Sequence, residues 1–356
     1  MRIAVLWQSM SGYFSASLRA LARMPGVEIC LAYRSAHPDA PFEPTSFDWI
    51  RPQYSWGREP SVPRLDSLLS DFEPDAVLVS SWHIRGYRAA LRRLGKPATR
   101  VLCMDNQWLG TPKQWLGRFT WRLYIRPLFD LAFVPGDRQA AFANRLGFRN
   151  GHILRGLNCA DTEAFTAPPD YSGHRDRSFL FVGRLVESKG ISLLIAAYRH
   201  YRELSPNPWP LKIAGHGPLL SALVGTPGVE LLGFVQPDDL PRTMWATTSL
   251  VLPSRFEPWG VVVHEATAAG LIPICSERVG AAVHLVQDGY NGYIVPDNSP
   301  KELAVAMNRI SRKSRPELEI MQEASRRMSM QLTPDRWGHY LVEMLNGQHP
   351  EAKATD

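Results

Sequence analysis

The sequence has few cysteines and no long apolar run. Its four cysteines, Cys30, Cys103, Cys159 and Cys275, are widely separated and follow no metal-binding spacing. This usage disfavours a disulfide framework and indicates buried thiols in a reducing compartment. No apolar segment reaches the ~18–20 residues of a membrane-spanning helix, and the N-terminus lacks a signal-peptide pattern. We therefore expect a cytoplasmic protein.

Two ligand-binding motifs are also missing. The first predicted strand is followed by Gln8-Ser-Met-Ser-Gly-Tyr-Phe14, with one glycine where the Gly-x-Gly-x-x-Gly fingerprint needs three, which argues against a dehydrogenase. Gly12 can still form a tight turn whose amides face an anion, although it is equally typical of an ordinary turn. No Asp-x-Asp pair is present, so we expect no metal site and no bound cofactor.

Short β-rich runs alternate with helical segments along the chain of 356 residues. This rhythm predicts parallel, doubly wound sheets, and the length suits two domains. A Pro-rich polar stretch near residue 170 interrupts the pattern. The sequence therefore predicts an α/β fold of two Rossmann-like domains, residues 1–168 and 169–333, followed by a C-terminal helix within residues 334–356. A cleft between the domains would hold the ligand.

The positive charge is concentrated in the first half. Residues 1–168 contain 21 Lys and Arg against 14 Asp and Glu, whereas the remainder contains 19 against 20. A basic half suggests an anionic partner such as a phospholipid surface, a lipid-linked phosphate or nucleic acid, unless it is simply a solvated face. The aromatic spacing matches no nucleic-acid motif, so we expect no nucleic acid.

One basic segment has amphipathic spacing. Arg118, Arg122 and Arg126 recur at intervals of four, with Phe119 and Leu123 beside them. On a helix these arginines would share one face, as in helices that lie on anionic lipid. The alternative is a core helix whose arginines snorkel to solvent. Tyr124, the residue after Leu123, is a candidate for contact with an acceptor substrate.

A glycine-bounded loop in the second half carries two cations. Arg184 and Lys189 follow the strand that ends at Val182, and Gly183 and Gly190 permit close backbone approach. Charge-assisted hydrogen bonds from such a loop, together with the N-terminus of the next helix, suit a diphosphate. Solvated loop cations are the alternative.

Two carboxylates, Glu257 and Glu265, flank the start of a predicted helix that begins at Val261. Ionised carboxylates accept hydrogen bonds from adjacent sugar hydroxyls. They could equally be a surface charge and a partner for the helix dipole. Another strand ending, Leu231–Val235, is suited to backbone contacts with a base at Val235.

These segments together resemble one family. Phe181–Gly190, Ala214–Pro218, Gly233–Val235 and the Glu-x7-Glu spacing from Glu257 to Glu265 are similar to the retaining glycosyltransferases of family 4 (glycosyl transferases group 1), which have the GT-B fold. The resemblance extends over roughly residues 178–295. It implies two Rossmann-like domains facing across a cleft, with the terminal helix crossing back to the first domain.

The resemblance also implies roles for individual residues. Arg184 and Lys189 would bind the donor diphosphate, Glu265 the ribose hydroxyls and Glu257 the transferred sugar. Further donor contacts would come from Gly12 and from the backbone amides of Trp259, Gly260 and Val261.

The first domain departs from the family pattern. Members often have a histidine after the strand that corresponds to Arg100–Met104, where this chain has Asp105 and Asn106. Asp105 is the candidate substitute, and His83, after the preceding strand, is a second candidate. His83 could instead pack on Trp82 or cap the next helix.

The function implied is transfer of a sugar, with retention, from a nucleotide-diphosphate sugar such as a UDP- or GDP-sugar to an acceptor hydroxyl. A sugar or lipid-linked acceptor is expected, in polysaccharide, lipopolysaccharide or glycolipid synthesis, with the protein in the cytoplasm and in contact with the inner membrane face. The alternatives are a nucleotide-sugar epimerase or phosphorylase of the same fold, and a non-catalytic scaffold subunit.

Overall fold

The computed structural model describes residues 1–35, 47–94, 97–168 and 175–347. It divides into two compact units: unit 1 is Met1–Cys159 with Pro334–Asp356, and unit 2 is Ala160–Thr333. The junction expected between residues 168 and 169 borders residues 169–174, which lie outside the described ranges. The polar tail beyond Gly347 also lies outside them.

Unit 1 alternates strands and helices along the chain. Its strands are β1 (Arg2–Trp7), β2 (Glu28–Arg34), β3 (Gln53–Trp56), β4 (Ala76–Val79), β5 (Thr99–Cys103), β6 (Leu131–Val134) and β7 (Ile153–Arg155). Its helices are α1 (Gly12–Ala22), α2 (Val62–Phe72), α3 (Arg85–Arg93), α4 (Pro112–Tyr124), α5 (Asp137–Arg145) and, at the C-terminal end, α13 (Pro334–Leu345). The strands form one parallel sheet in the order β3-β2-β1-β4-β5-β6-β7.

The central strands of unit 1 are buried apolar runs. Ile3 to Leu6 and Ala76 to Val79 are almost fully inaccessible, as expected where helices cover both faces of a parallel sheet. The β-rich runs of the sequence predict strands at Arg2–Trp7 and Leu131–Val134, and β1 and β6 have those bounds. The two edge strands, β3 and β7, were not predicted.

Helix α13 completes the core of unit 1. Trp337 is fully buried, its ring centroid 5.6 Å from that of Phe133 and 6.1 Å from that of Phe14. Its indole Nε1 donates to the carbonyl of Leu157 at 3.0 Å. A large aromatic side chain with its polar atom satisfied holds this distant segment against the sheet.

Unit 2 repeats the same alternation. Its strands are β8 (Asp176–Val182), β9 (Leu211–Ala214), β10 (Val229–Gly233), β11 (Thr247–Leu252), β12 (Ile272–Ser276) and β13 (Tyr293–Val295). Its helices are α6 (Thr162–Phe165), α7 (Ile191–Leu204), α8 (Leu240–Trp245), α9 (Val261–Ala268), α10 (Ala282–Leu285), α11 (Pro300–Ser311) and α12 (Arg315–Ser329).

The strands of unit 2 form a parallel sheet in the order β10-β9-β8-β11-β12-β13. The predicted α/β architecture with two Rossmann-like parallel sheets is confirmed. Within the described ranges, no helix has the length and apolar character needed to cross a bilayer.

Candidate functional site

The candidate site of unit 2 lies at the carboxyl ends of its central strands, where three loops pack main chain against main chain. The loop after β8 meets the loop after β9 through the Leu185 amide, which donates to the His216 carbonyl at 2.9 Å. It meets the loop after β11 through the Arg255 amide, which donates to the Ser188 carbonyl at 2.9 Å. Residues from three separate segments are thereby assembled at one edge.

Glycine is required where these loops touch. Gly190 precedes α7 with φ 73°, and a Cβ atom there would lie 2.1 Å from the Pro253 carbonyl oxygen. A Cβ atom on Gly215 would lie 1.9 Å from the Gly183 carbonyl oxygen. Larger residues would push the loops apart. Of the two glycines predicted to permit close approach, Gly190 does so towards protein backbone, whereas a Cβ atom on Gly183 would meet side-chain atoms of Phe181 and Lys189.

The two cations of the loop after β8 have different environments. Arg184 is exposed, and no ion-pair or hydrogen-bond partner for its guanidinium occurs among the described residues. Lys189 is only 18% exposed in its side chain, and its Nζ donates to the carboxylate of Glu257. One cation is therefore free for an anionic ligand, and the other is held by a carboxylate.

The ion pair of Lys189 with Glu257 was not expected from the sequence. The Glu257 side chain is 11% exposed, and its carboxylate lies 3.5 Å from the Ser254 hydroxyl, which donates to it. A mostly buried pair of this kind keeps both charges satisfied. A diphosphate and a sugar could each take over one member of the pair.

Helix α9 starts at this edge. Gly260 occupies the left-handed region at φ 90° as the residue before the helix. The first amides of a helix, here those of Val261 and Val262, have no acceptor within the helix and carry its positive dipole end. Trp259, directly before Gly260, is 5% exposed, and its indole Nε1 is buried without a partner in the described part of the chain.

Glu265 lies on the second turn of α9. Its residue surface is half-buried, and the surrounding protein desolvates the carboxylate, which raises the pKa of Glu265 to about 7. No donor or cation for this carboxylate is found within the described ranges. A desolvated carboxylate without donors is stabilised by a proton or by a ligand that brings hydroxyl groups.

Val235 follows β10 at the outer side of the same edge. It is half-buried and packs against the apolar core of unit 2. The neighbouring strand end is tied in by the Gly215 amide, which donates to the Gly233 carbonyl at 2.7 Å. This hydrogen bond holds Gly233, two residues before Val235, against the loop after β9. The backbone of Val235 could there contact the flat ring of a nucleotide base.

His264, on α9 next to Glu265, was not singled out from the sequence. It is fully buried, its Nδ1 accepting from the Ala160 amide at 3.1 Å and its Nε2 donating to the Ser329 carbonyl at 2.9 Å. Desolvation lowers the pKa of His264, so the ring is neutral. It connects the start of unit 2 to the end of α12 and thereby fixes the position of α9.

In unit 1, three candidates follow neighbouring strands at one sheet edge. Gly12 begins α1 after β1, His83 follows β4 and Asp105 follows β5. These strands are adjacent and parallel, so their carboxyl ends meet. A Cβ atom on Gly12 would meet nothing within 4 Å, which leaves open space for a ligand.

His83 is exposed and leans on Trp82, with ring centroids 4.7 Å apart. Desolvation, and then the charges of Arg88 and Lys113, lower the pKa of His83. The imidazole is therefore neutral at pH 7 and can accept or donate one proton. Asp105 is also exposed, and its carbonyl accepts from the Gln139 side chain at 3.4 Å.

The prediction that Arg118, Arg122 and Arg126 share one helix face is wrong for Arg126. Helix α4 ends at Tyr124, and Arg126 lies in a following 3-10 turn. Pro127 explains this ending, since a proline disfavours helical geometry at the residue before it. Arg126 turns inward, where its guanidinium stacks over Phe148 at 4.2 Å and its Nε donates to the Gly147 carbonyl.

The alternative of a core helix is also wrong. Trp121 is the one buried residue of α4, whereas Leu116, Leu123 and Tyr124 are 75%, 71% and 67% exposed. Helix α4 is thus a surface helix. Arg118 and Arg122 remain on it.

No group of three or more His, Cys, Asp or Glu side chains in the described residues is arranged to hold a metal ion. All four cysteines are buried and none forms a disulfide, and burial raises the pKa of Cys30 to about 12. The chemistry available at the unit 2 edge is therefore that of cations, helix amides and carboxylates.

Comparison with known proteins points to one family. Residues 171–328 match the family model described as glycosyl transferases group 1. An uncharacterised glycosyltransferase of Methanocaldococcus jannaschii is 34% identical over 142 residues, which make up 38% of this chain and 36% of that protein. The alpha-D-kanosaminyltransferase of Streptomyces kanamyceticus is 32% identical over 160 residues, 42% of this chain and 41% of that protein.

These alignments span less than half the length of either relative. A solved structure covers more of the chain: Anabaena HepE in complex with UDP has a TM-score of 0.73 at 17% identity, over 98% of this chain and 100% of that one. At this identity the likeness shows a shared fold. The matched family segment contains the whole edge from Arg184 to Glu265.

Proposed function

We propose that the chain belongs to the glycosyl transferases group 1 family, whose model its residues 171–328 match, and that it transfers a sugar from a nucleotide-diphosphate sugar to an acceptor hydroxyl. One observation carries the proposal. The desolvated carboxylate of Glu265, the unpaired guanidinium of Arg184 and the first turn of α9 lie at the same strand edge of unit 2. Ribose hydroxyls and a diphosphate are complementary to these groups.

The reaction breaks the bond between the anomeric carbon and the diphosphate oxygen and forms a bond to the acceptor oxygen. Negative charge develops on the diphosphate, where Arg184, Lys189 and the first amides of α9 stabilise it. The departing diphosphate oxygen receives the acceptor proton. No nucleophilic side chain is needed, which is consistent with the retaining chemistry that we propose.

The donor would reorganise the pair of Lys189 and Glu257. Lys189 turns to the diphosphate, and Glu257 is then free to accept hydroxyls of the transferred sugar, next to the amides of Trp259, Gly260 and Val261. Val235 would lie against the base. The exchange leaves each charge with a partner, so binding avoids the cost of an isolated buried charge.

Unit 1 would supply the acceptor side. We propose that Gly12 lies against the donor phosphates and that His83 or Asp105 contacts the sugar. UDP-sugars are the first donors to test, since HepE was crystallised with UDP, and GDP-sugars are the second. A lipid-linked or polysaccharide acceptor suits the basic charge of residues 1–168.

The test is release of nucleoside diphosphate from a panel of nucleotide sugars, with and without a glycolipid extract. We expect acceptor-dependent release with one donor and almost none in Arg184→Ala. The matched control is Arg199→Ala, which removes an exposed arginine from the later turns of α7. An isomerised sugar without acceptor would indicate an epimerase, and no nucleotide binding at all would indicate a scaffold subunit.

A further inference from the structure

Helix α4 presents an apolar stripe to solvent. Successive helix residues are rotated by ~100°, so Trp115, Leu116, Phe119 and Leu123 fall within an arc of ~100°. Their side chains are 49%, 75%, 57% and 71% exposed. Trp121, the residue that anchors the helix, is 7% exposed and points to the opposite side of this arc. The four residues are called the α4 stripe.

A stripe of this width normally faces a protein core. Here the helix is attached mainly through its other side, where the Trp121 ring packs edge-on against Trp82 at 6.3 Å and lies 5.8 Å from Phe148. Within the stripe, Trp115 lies edge-on to Trp108 at 5.3 Å and is still half exposed. The α4 stripe is therefore an exposed apolar surface on a helix that the fold already holds in place. Contiguous exposed apolar surface of this kind marks a site of interaction.

The charge around the stripe is of one sign. Helix α4 contains Lys113, Arg118 and Arg122 and no acidic residue. The Arg118 guanidinium lies over the Trp115 and Phe119 rings at 4.5 and 4.9 Å, at the border of the stripe. An apolar face bordered by cations, with Trp and Tyr near its ends, is typical of helices that lie in the headgroup region of anionic bilayers.

We propose that the α4 stripe inserts into an anionic phospholipid surface and that Lys113, Arg118 and Arg122 contact its headgroups. Charge complementarity selects this occupant over a second copy of the chain, because two α4 helices packed face to face would bring the same positive charges together. Each basic residue near an anionic membrane strengthens binding by about 1 kcal/mol, or about fivefold.

The position of α4 relates this membrane contact to the acceptor side of the reaction, an inference that rests on the proposed function. Lys113, in the first turn of α4, is close enough to His83 for its charge to act on that imidazole. Trp121 of the same helix packs on Trp82, whose ring lies 4.7 Å from that of His83. Helix α4 therefore adjoins the strand-end edge of unit 1 on which Gly12, His83 and Asp105 lie. A bilayer on the outer face of this helix would bring a lipid-borne hydroxyl to within one helix diameter, ~10 Å, of this edge.

The test is co-sedimentation of the full chain with vesicles of phosphatidylcholine alone or with about one third phosphatidylglycerol. We expect binding to the anionic vesicles only, weakened by salt. Leu116→Asp with Leu123→Asp should lower the partition coefficient at least about tenfold, because it replaces inserted apolar groups with charges that the bilayer repels. Arg122→Gln should lower it about fivefold. The matched control is Ile320→Asp, since Ile320 of α12 is 67% exposed and lies in unit 2.

Equal binding to both vesicle types, or unchanged binding of the double variant, would overturn the proposal. So would a dimer that the double variant converts to monomers without any lipid binding by the wild type. The nucleotide-induced thermal shift is measured on the same proteins. If a variant that has lost lipid binding keeps the thermal shift, the membrane surface is separate from the donor site. If all proteins bind lipid but none shows the thermal shift, the proposed donor site is refuted and the membrane surface is not.

Discussion

Nucleotide binding should be linked to deprotonation of Glu265. Burial raises the pKa of this carboxyl from 4.5 to about 7, so its ionisation in the protein costs roughly 3 kcal/mol. Ribose hydroxyls donate to the ionised form, which means that the donor binds the deprotonated protein and lowers the pKa. Affinity should therefore be highest above the raised pKa and should fall as the pH drops through it.

The magnitude follows from this pKa. Well above a pKa of about 7 nearly every molecule is competent to bind, whereas one pH unit below it about one molecule in ten is. The dissociation constant should rise about tenfold from about pH 8 to about pH 6. A nucleotide sugar is the ligand of choice, because both of its phosphates are diesters whose charge is constant over this range.

The assay is isothermal titration calorimetry at several pH values, with buffers of different ionisation enthalpy to count protons released. Glu265→Gln is the control, since its amide keeps the shape and does not titrate. We expect weaker but pH-independent binding in this variant. Affinity of the wild type that is flat between about pH 6 and 8, or a slope retained in Glu265→Gln, would refute the role given to this carboxylate.

Two other predictions concern the framework of the site. Gly190→Ala should abolish nucleotide binding, because the added Cβ meets the Pro253 carbonyl, whereas Gly225→Ala, at a similar φ of 74° with nothing within 4 Å, should cost only about 1 kcal/mol of stability. If Gly190→Ala and Gly225→Ala had equal effects on thermal unfolding and on nucleotide binding by calorimetry, the close approach of Gly190 to Pro253 would be contradicted. His264 should make unit 2 acid-sensitive: with its folded pKa lowered, the unfolded chain binds the extra proton below pH 6.5, and stability falls by up to about 1.4 kcal/mol per pH unit. In denaturant unfolding, His264→Gln should lack this loss of stability at acid pH. If the variant and the wild type had identical pH profiles, His264 would not be its cause.

The buried strands were predictable from the sequence, and the edge strands were not. Central strands such as β1 are apolar on both faces, so they appear as continuous hydrophobic runs. Strands β3 and β7 form the edges of their sheet, span only Gln53–Trp56 and Ile153–Arg155, and contain polar residues. Residues of an edge strand need not be buried on both faces, so neither β3 nor β7 has a distinct hydrophobic pattern in the sequence.

The site could be predicted in composition but less well in its contacts. Parallel strands bring Arg184, Lys189 and Glu265 to one edge, which the alternation of strands and helices already implies. The pairing of Lys189 with Glu257 depends on two loops 68 residues apart in sequence, and local spacing contains no signal for it. The inward turn of Arg126 did have a signal, namely the proline that follows it.

The most direct measurement of the central claim is calorimetric titration of the chain with UDP and GDP, repeated on Arg184→Ala and Arg199→Ala. Removal of a charge-assisted contact to the diphosphate should cost about 2 kcal/mol, or roughly thirtyfold in affinity. We expect that loss in Arg184→Ala and wild-type affinity in Arg199→Ala. Wild-type affinity in Arg184→Ala, or a wild-type chain that binds neither nucleotide, would contradict a donor site at the strand edge of unit 2.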